Sequence, residues 1–461
     1  MNTRQLSQVA TAVGGKLIGN DAAFAGVSTD TRKLAKGDLF VAITGATYDA
    51  HNFLPVAQER GAAGALVQRQ NSGCSLPQIV VSDTRRALGV YAKHWRSRFD
   101  IPVIGVTGSS GKTTLKEMLA QMMRRKGATL ATRGNLNNDI GLPLTLLELD
   151  ASHRAAVIEM GTNHPGEIAY LADITAPSVG VITNAGPAHL EFLGSVEGVA
   201  REKGALFAAL GPQGVAVINA DDAHAATWQR MSTAGIRHSF GFDAHAEFHP
   251  QPGSLHADAN GVWRFRVISP LGEAEVQLSL PGKHNIANAL AALAAATSAG
   301  IGLEDAIRAL AEVPNTGGRL IVTPGLDGCR LIDDTYNANP ASLAAAVEFA
   351  VSLGAPVWLV LGDMGELGPS AAALHAEAGR HARRAGVARL FTFGSLSRLA
   401  GDSFGVSTQH FTDLESLLDT LRDDTPTGIT LLIKGSRSMR MERVVEALRS
   451  QPAPHRAVNG S

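Results

Sequence analysis

The stretch Gly105-Val106-Thr107-Gly108-Ser109-Ser110-Gly111-Lys112-Thr113-Thr114 constrains this chain more than any other. It follows an apolar run at 103–106 and leads into a helix-like segment, the strand–loop–helix setting of a phosphate-binding loop. Gly108 and Gly111 let the backbone turn tightly, so that successive N–H groups face phosphate oxygens. Lys112 would reach the terminal phosphates, Thr113 would place its hydroxyl on Mg²⁺, and the helix start adds partial positive charge. The general G-x-x-x-x-G-K-[ST] pattern has Gly where Val106 stands. The alternative is a Gly-rich turn with a chance Lys-Thr, which the strand and helix on either side argue against. Leu115, Met118, Leu119, Met122 and Met123 then fall on one helix face, as a core-facing helix requires.

A phosphate loop of this kind needs a buried sheet behind it. Residues 103–106, 155–158, 179–183 and 215–219 are mostly apolar, the pattern of strands covered on both faces, so a parallel sheet flanked by helices is expected. Residues 238–280 alternate and are studded with glycine, which predicts antiparallel strands. Helices are predicted over 284–299 and 303–311. The first hundred residues read as a small α/β unit, with strands near 26–28, 39–42, 65–68 and 79–82 and helices over 55–60 and 84–99. Runs at 331–333, 357–361, 390–393 and 430–433 alternate with helices and predict a Rossmann-like unit. Breaks at 100–102 and 314–318 divide the chain into domains at 1–100, 101–314 and 315–461, in line with about 150 residues per domain for 461 residues. The fold class is therefore α/β in three domains, with a central P-loop parallel sheet carrying an antiparallel portion. Residues 451–461 read as a loose tail.

Composition excludes several functions. Lys plus Arg number 41 and Asp plus Glu 42, a formal net charge of -1, so no basic surplus marks a nucleic-acid binder. The two cysteines, Cys74 and Cys329, lie in unrelated contexts and suggest neither a disulfide framework nor a zinc site. Residues 1–20 lack the apolar core of a signal peptide, and the Ala-rich stretch 286–303 reads as a packed helix, so a cytoplasmic protein with no membrane insertion is expected.

Glu159 ends an apolar strand within the P-loop unit, where a carboxylate can serve the metal of Mg–ATP. His189 follows the next strand and is either a second metal ligand or a loop histidine. Lys203, in Arg-Glu-Lys-Gly, reads from its chemistry as a helical surface lysine.

Residues 107–114 resemble the ATP loop of the Mur ligases, which build the peptide stem of the bacterial cell wall; that family's loop spaces its glycines as here, which accounts for Val106. Further stretches run in family order along nearly the whole chain. They are Ser28-Thr29-Asp30-Thr31-Arg32-Lys33, Gly134-Asn135-Leu136-Asn137-Asn138-Asp139-Ile140-Gly141 and Glu159-Met160-Gly161-Thr162-Asn163-His164, then Gly282-Lys283-His284-Asn285-Ile286-Ala287-Asn288-Ala289. Asp334-Thr335-Tyr336-Asn337-Ala338-Asn339-Pro340, Gly362-Asp363-Met364-Gly365-Glu366-Leu367-Gly368 and Lys434-Gly435-Ser436-Arg437 complete the set.

The resemblance implies an N-terminal domain for a UDP-sugar, a central domain for ATP, and a C-terminal domain receiving the incoming amine. Within the family, the Asn-Leu-Asn-Asn and Gly-Asp-Met-Gly-Glu-Leu-Gly stretches are similar to the ligase joining D-alanyl-D-alanine to a UDP-N-acetylmuramoyl tripeptide. It further implies that Thr107, Gly108, Ser109, Ser110, Gly111, Lys112, Thr113 and Thr114 hold ATP. Thr113 and Glu159 would serve one Mg²⁺ and His189 another. Lys203 would be carbamylated by CO₂ into an anion, although many relatives have Glu where Ala205 stands. Asn285 and Asn288 would lie beside adenine, and Arg319 would reach the phosphates. Asp334, Tyr336 and Asn337 would contact nucleotide and dipeptide. Ser28, Asp30 and Arg32 would touch the UDP-sugar, with Asn137, Asn138 and Asn339 facing the peptide substrates. Lys112, Lys203, His189 and Arg319 would carry the chemistry, in a monomer acting on small molecules. The rival readings are a sister ligase, such as an earlier Mur ligase or a folylpolyglutamate synthase, a nucleotide-driven switch, and a pure binding module. The guanine-reading Asn-Lys-x-Asp motif of a GTPase switch is absent from the sequence, and a binding module leaves the ATP loop and Glu159 without a purpose.

Overall fold

A computed structural model of the chain describes residues 4–45, 47–258, 261–314 and 318–450. The predicted tail at 451–461 and the middle of the predicted joint, Asn315, Thr316 and Gly317, lie outside them.

Three α/β layers follow one another. The central sheet has six parallel strands in the spatial order Ile236–Phe240, Val215–Asn219, Val179–Ile182, Val103–Thr107, Ala155–Glu159 and Thr129–Ala131. Every residue of Val103–Thr107 and Ala155–Glu159 is buried, as expected for strands covered on both faces. Val106 is one of these core residues, so a hydrophobe suits that position of the loop. One face of the sheet packs against the Ala-rich helix Lys283–Ser298, the helix Leu303–Ala311 and the P-loop helix Lys112–Met123. Leu290, in the first of these, is fully buried. Leu290→Ala is expected to cost about 2–5 kcal/mol, read as a lowered denaturation midpoint of the central domain.

The stretch at 238–280 divides differently from expectation. Ile236–Phe240 pairs in parallel with Val215–Asn219 and extends the central sheet. The antiparallel sheet comprises His249–Pro250, His256–Ala257, Trp263–Ser269 and Gly272–Leu278. The edge position explains the misreading: Ile236 and Arg237 are exposed, so the strand alternates like one with a wet face.

The N-terminal sheet runs Lys16–Ile18, Gln78–Val80, Gly64–Val67, Leu39–Val41 and Val27–Ser28, antiparallel only at its first pair. The helix Leu6–Val13, only eight residues long, is too short to show a clear periodic signal in the sequence. The helix Thr84–Arg96 starts where Asp83 accepts a hydrogen bond from Arg86 N, 2.9 Å. It ties this unit to the central one: Trp95 Nε1 donates to Leu149 O (3.0 Å) and Arg96 Nε to Thr175 O (3.1 Å). One hydrophobic core spans both units.

The C-terminal sheet runs Ile321–Pro324, Arg330–Asp334, Thr430–Lys434, Val357–Gly362, Val387–Phe393 and Thr408–Phe411. It is parallel except for its first strand, an antiparallel edge that the sequence reading lacked. In both large sheets the carboxyl ends of the parallel strands give rise to the loops around one cavity, where open α/β sheets bind ligands.

Candidate active site

That cavity measures about 1050 Å³ and is walled by all three units. Its floor is the phosphate loop. Gly111 has φ +80°, and a Cβ there would lie 2.7 Å from Asn288 Oδ1, so glycine is required both by conformation and by space. The segment after the strand Val179–Ile182 braces the loop. Thr183 Oγ1 donates to Ser110 O (2.6 Å), Asn184 Oδ1 accepts from Ser110 N (3.1 Å), and Ser109 Oγ accepts from Gly186 N (2.9 Å). Lys112 Nζ folds back onto Gly108 O at 2.6 Å. Burial pushes its ammonium below the ordinary lysine value, against the pull of Glu159.

Ser109 through Thr114 line the cavity. Thr107 does not: it is fully buried and its hydroxyl donates to Met160 O at 2.8 Å, bracing two strands. Gly108 meets the site through its carbonyl and Lys112. Glu159 is almost wholly buried at the strand end. Its Oε1 accepts from Asn137 Nδ2 at 2.8 Å, while Oε2 is shielded from water and has no partner. A buried unpaired carboxylate oxygen is costly unless a ligand satisfies it. Among the described residues no three His, Cys, Asp or Glu side chains cluster as a protein-only metal cage. A single unpaired carboxylate oxygen beside a phosphate loop is a donor set that fits Mg²⁺, which takes one or two carboxylates and fills its remaining sites with phosphate oxygens and water.

Lys203 overturns its reading as a surface lysine. It lies on the helix Val196–Ala208 and is 1% exposed. Burial first, then repulsion from Lys112, drives its amine well below the ordinary lysine value. Its neighbour Glu202 is engaged elsewhere, accepting from Gly166 N and Ile168 N, both 2.7 Å, at the start of the helix Glu167–Thr175. A buried, weakly basic amine is the form that can react with CO₂. Lys203 does not reach the cavity wall.

His189 and Glu366 face each other across the joint, Nδ1 to Oε2 at 2.8 Å, and this contact holds the Glu366 carboxyl below its usual range. Asn285 Nδ2 donates to Pro281 O (2.6 Å), and Asn288 Nδ2 to Asn285 Oδ1 (3.0 Å). Asn288 thus packs on the phosphate loop rather than standing apart from it. The Arg319 guanidinium stacks on Tyr336, 4.0 Å from the ring centroid. Asp334 pairs with the buried Lys434, which also donates to Asn337 O at 2.9 Å. Asn339 and Asn138 reach the wall, but their side-chain oxygens cap helices, accepting from Ser342 N and Gly141 N, both 2.8 Å.

Ser28, Asp30 and Arg32 stay away from the cavity. They form a turn in which the Arg32 guanidinium lowers the Asp30 carboxyl to about 2 and Ser28 Oγ accepts from Asp30 N. Arg85, Glu366, Lys434 and Arg437 also line the cavity and were given no role in the sequence. Glu366, Lys434 and Arg437 stand within motifs quoted above. Arg85 carried no signal, because only the packing of its helix brings it to Asp139, 2.6 Å away.

The family profile for the Mur ligase middle domain matches residues 106–296, and that for the Mur ligase glutamate ligase domain matches 318–437. The chain is 42% identical to the UDP-N-acetylmuramoyl-tripeptide–D-alanyl-D-alanine ligase of Escherichia coli (strain K12), over 96% of its own length and 98% of that protein's. Among solved structures, MurF from Acinetobacter baumannii is similar with a TM-score of 0.89 and 33% identity, over 97% of this chain and 98% of that one. The Thermotoga maritima MurF ligase in complex with ADP is similar with a TM-score of 0.81 and 26% identity, over 92% and 96%.

Proposed function

This chain belongs to the Mur ligase family, and from that premise we propose that it joins D-alanyl-D-alanine to UDP-N-acetylmuramoyl tripeptide, at the expense of ATP. One observation carries the reading: a phosphate loop, an unpaired buried carboxylate oxygen and a C-terminal wall surround a single cavity. The near full-length likeness to ligases of this specificity favours it over a sister ligase or a nucleotide switch.

The proposed domains are 1–100 for the UDP-sugar, held at Ser28, Asp30 and Arg32, then 101–314 for ATP, then 315–461 for the dipeptide. The loop amides and Lys112 hold the phosphates, with Asn285 and Asn288 on the nucleoside side. Asn137 and Asn138 border the tripeptide, and Asp334, Tyr336, Asn337 and Asn339 border nucleotide and dipeptide. Condensing a carboxylate with an amine in water is uphill. The terminal carboxylate of the tripeptide attacks the γ-phosphorus, ADP leaves, and an acyl phosphate forms. The dipeptide amine, having lost a proton, then attacks the acyl carbon, and inorganic phosphate departs as the amide bond forms. Lys112 and Arg319 neutralise the charge that develops on the transferring phosphoryl group. The three walls exclude water, which would otherwise hydrolyse the acyl phosphate.

Thr113 and Glu159 would hold one Mg²⁺ and His189 another; bound there, the ions supply positive charge to the phosphate oxygens. Glu159→Gln keeps the acceptor for Asn137 and removes only the charge. It is expected to raise the Mg²⁺ needed for half-maximal phosphate release about tenfold or more, measured by titrating Mg²⁺ at fixed ATP. Lys203 would add CO₂ at its neutral amine, releasing a proton and leaving a carbamate anion. We further propose a cytoplasmic monomer without a nucleic-acid partner; among the described residues no helix is long and apolar enough to cross a membrane.

The route is tested by labelling the tripeptide's terminal carboxylate with ¹⁸O. One label should appear in the released phosphate, and phosphate without label would exclude the acyl phosphate.

A further inference from the structure

Two residues of the cavity wall face each other from opposite sides of the joint, and both sit in the left-handed backbone region. His189 has φ +55° and Glu366 φ +62°. Only six non-glycine residues among those described share that conformation, so finding two of them in one ion pair is unlike chance. Such backbone is costly and persists where the surroundings enforce it, typically at functional sites.

The surroundings here are a backbone-to-backbone dock. Gly368, with φ +56°, lies so close to the short helix Leu190–Leu193 that a Cβ on it would stand 2.7 Å from Glu191 Cα. The dock brings Glu366 Oε2 to 2.8 Å from His189 Nδ1. That nitrogen is shielded from water and makes no hydrogen bond of full geometry; its polar contact is the close approach of the Glu366 carboxylate. Among the described residues, no other carboxylate pairs with it.

A neutral imidazole carries its proton on one nitrogen, and the partner of that nitrogen decides which one remains a donor of electrons. A carboxylate at Nδ1 selects the Nδ1–H form and leaves the lone pair on Nε2. We propose that Glu366 is a positioning residue: delivered by the C-terminal unit, it fixes His189 as the Nδ1–H tautomer, so that Nε2 presents its lone pair only while the two units are docked. The use of that lone pair rests on the reading of His189 as a metal ligand; the tautomer itself does not. Phosphoryl transfer would thereby wait for the unit that receives the dipeptide, which guards the acyl phosphate against water.

The test uses the full chain labelled with ¹⁵N-histidine, free of ligand, at pH 8. In the wild type the His189 Nδ1 resonance should be that of a protonated nitrogen and Nε2 that of a bare one. Glu366→Gln, whose amide oxygen still accepts, should preserve this pattern, whereas Glu366→Ala should shift the proton to Nε2, the form imidazole favours in water. A His189 spectrum unchanged by Glu366→Ala overturns the proposal. With substrates, Glu366→Ala should lower kcat about 10- to 100-fold and leave the KM for the dipeptide within about threefold. A rise in KM alone would mean that Glu366 touches the dipeptide, and would also overturn it. Mn²⁺ binding in the presence of ADP separates the two readings. Binding unaffected by His189→Ala would remove the metal role of His189 and leave the tautomer result to stand or fall by itself.

Discussion

Lys112→Ala is expected to cut phosphate release about a thousandfold or more and to leave the thermal transition of the protein in place. The ammonium sits at the first position of the helix Lys112–Met123 and closes onto Gly108 O at 2.6 Å, directly over the turn that should cradle phosphates. Burial weakens its basicity, and Glu159 and Glu366 offset this only in part. Triphosphate supplies further negative charge, and the charge grows on the transferring group as the bond to ADP breaks. Nothing else on the loop carries a cation to that place, so the loss falls on the chemical step. The fold should not suffer: alanine is the best helix former, and the substitution removes a partly buried charge. Ordinary turnover in the variant would take the loop out of the mechanism.

Lys203 should separate stability from activity. Lys203→Met is expected to abolish ligation and yet stabilise the protein in CO₂-free buffer by about 2 kcal/mol. The amine is buried with its basicity lowered well below the ordinary value of 10.5. The unfolded chain therefore binds a proton that the folded chain gives up, so native stability rises with pH between the folded and unfolded values. The penalty is complete at pH values below the lowered folded value and vanishes above about 10.5, and methionine removes it. Denaturation midpoints of the two proteins should converge as the pH rises toward that limit. Lys203→Ala, which leaves room, should regain part of its activity when formate or acetate is added as a stand-in for the carbamate. Full activity without such rescue would show that no anion is needed there.

Local signals made the phosphate loop readable, because strand, glycines, lysine and helix lie within some twenty consecutive positions. Glu159 was readable for the same reason, as an acid closing a buried strand. Lys203 was not: its burial depends on how the helix Val196–Ala208 packs on the sheet, which no neighbouring residue announces. The strand Ile236–Phe240 was misassigned because an edge strand in a parallel sheet can be half wet. Glu366 and Lys434 stood in plain view within motifs, but their partners are His189 and Asp334, 177 and 100 positions away. Pairings of that span belong to the folded chain, and only resemblance or structure supplies them.

The central proposal is that one cavity couples ATP cleavage to amide formation. The most direct measurement is phosphate release from Mg–ATP with UDP-N-acetylmuramoyl tripeptide present, with and without D-alanyl-D-alanine, followed by mass analysis of the product. Sustained release is expected only when both substrates are present, with one UDP-N-acetylmuramoyl pentapeptide formed for each phosphate. Sustained release with neither substrate, or release with both but no pentapeptide, would contradict the proposal.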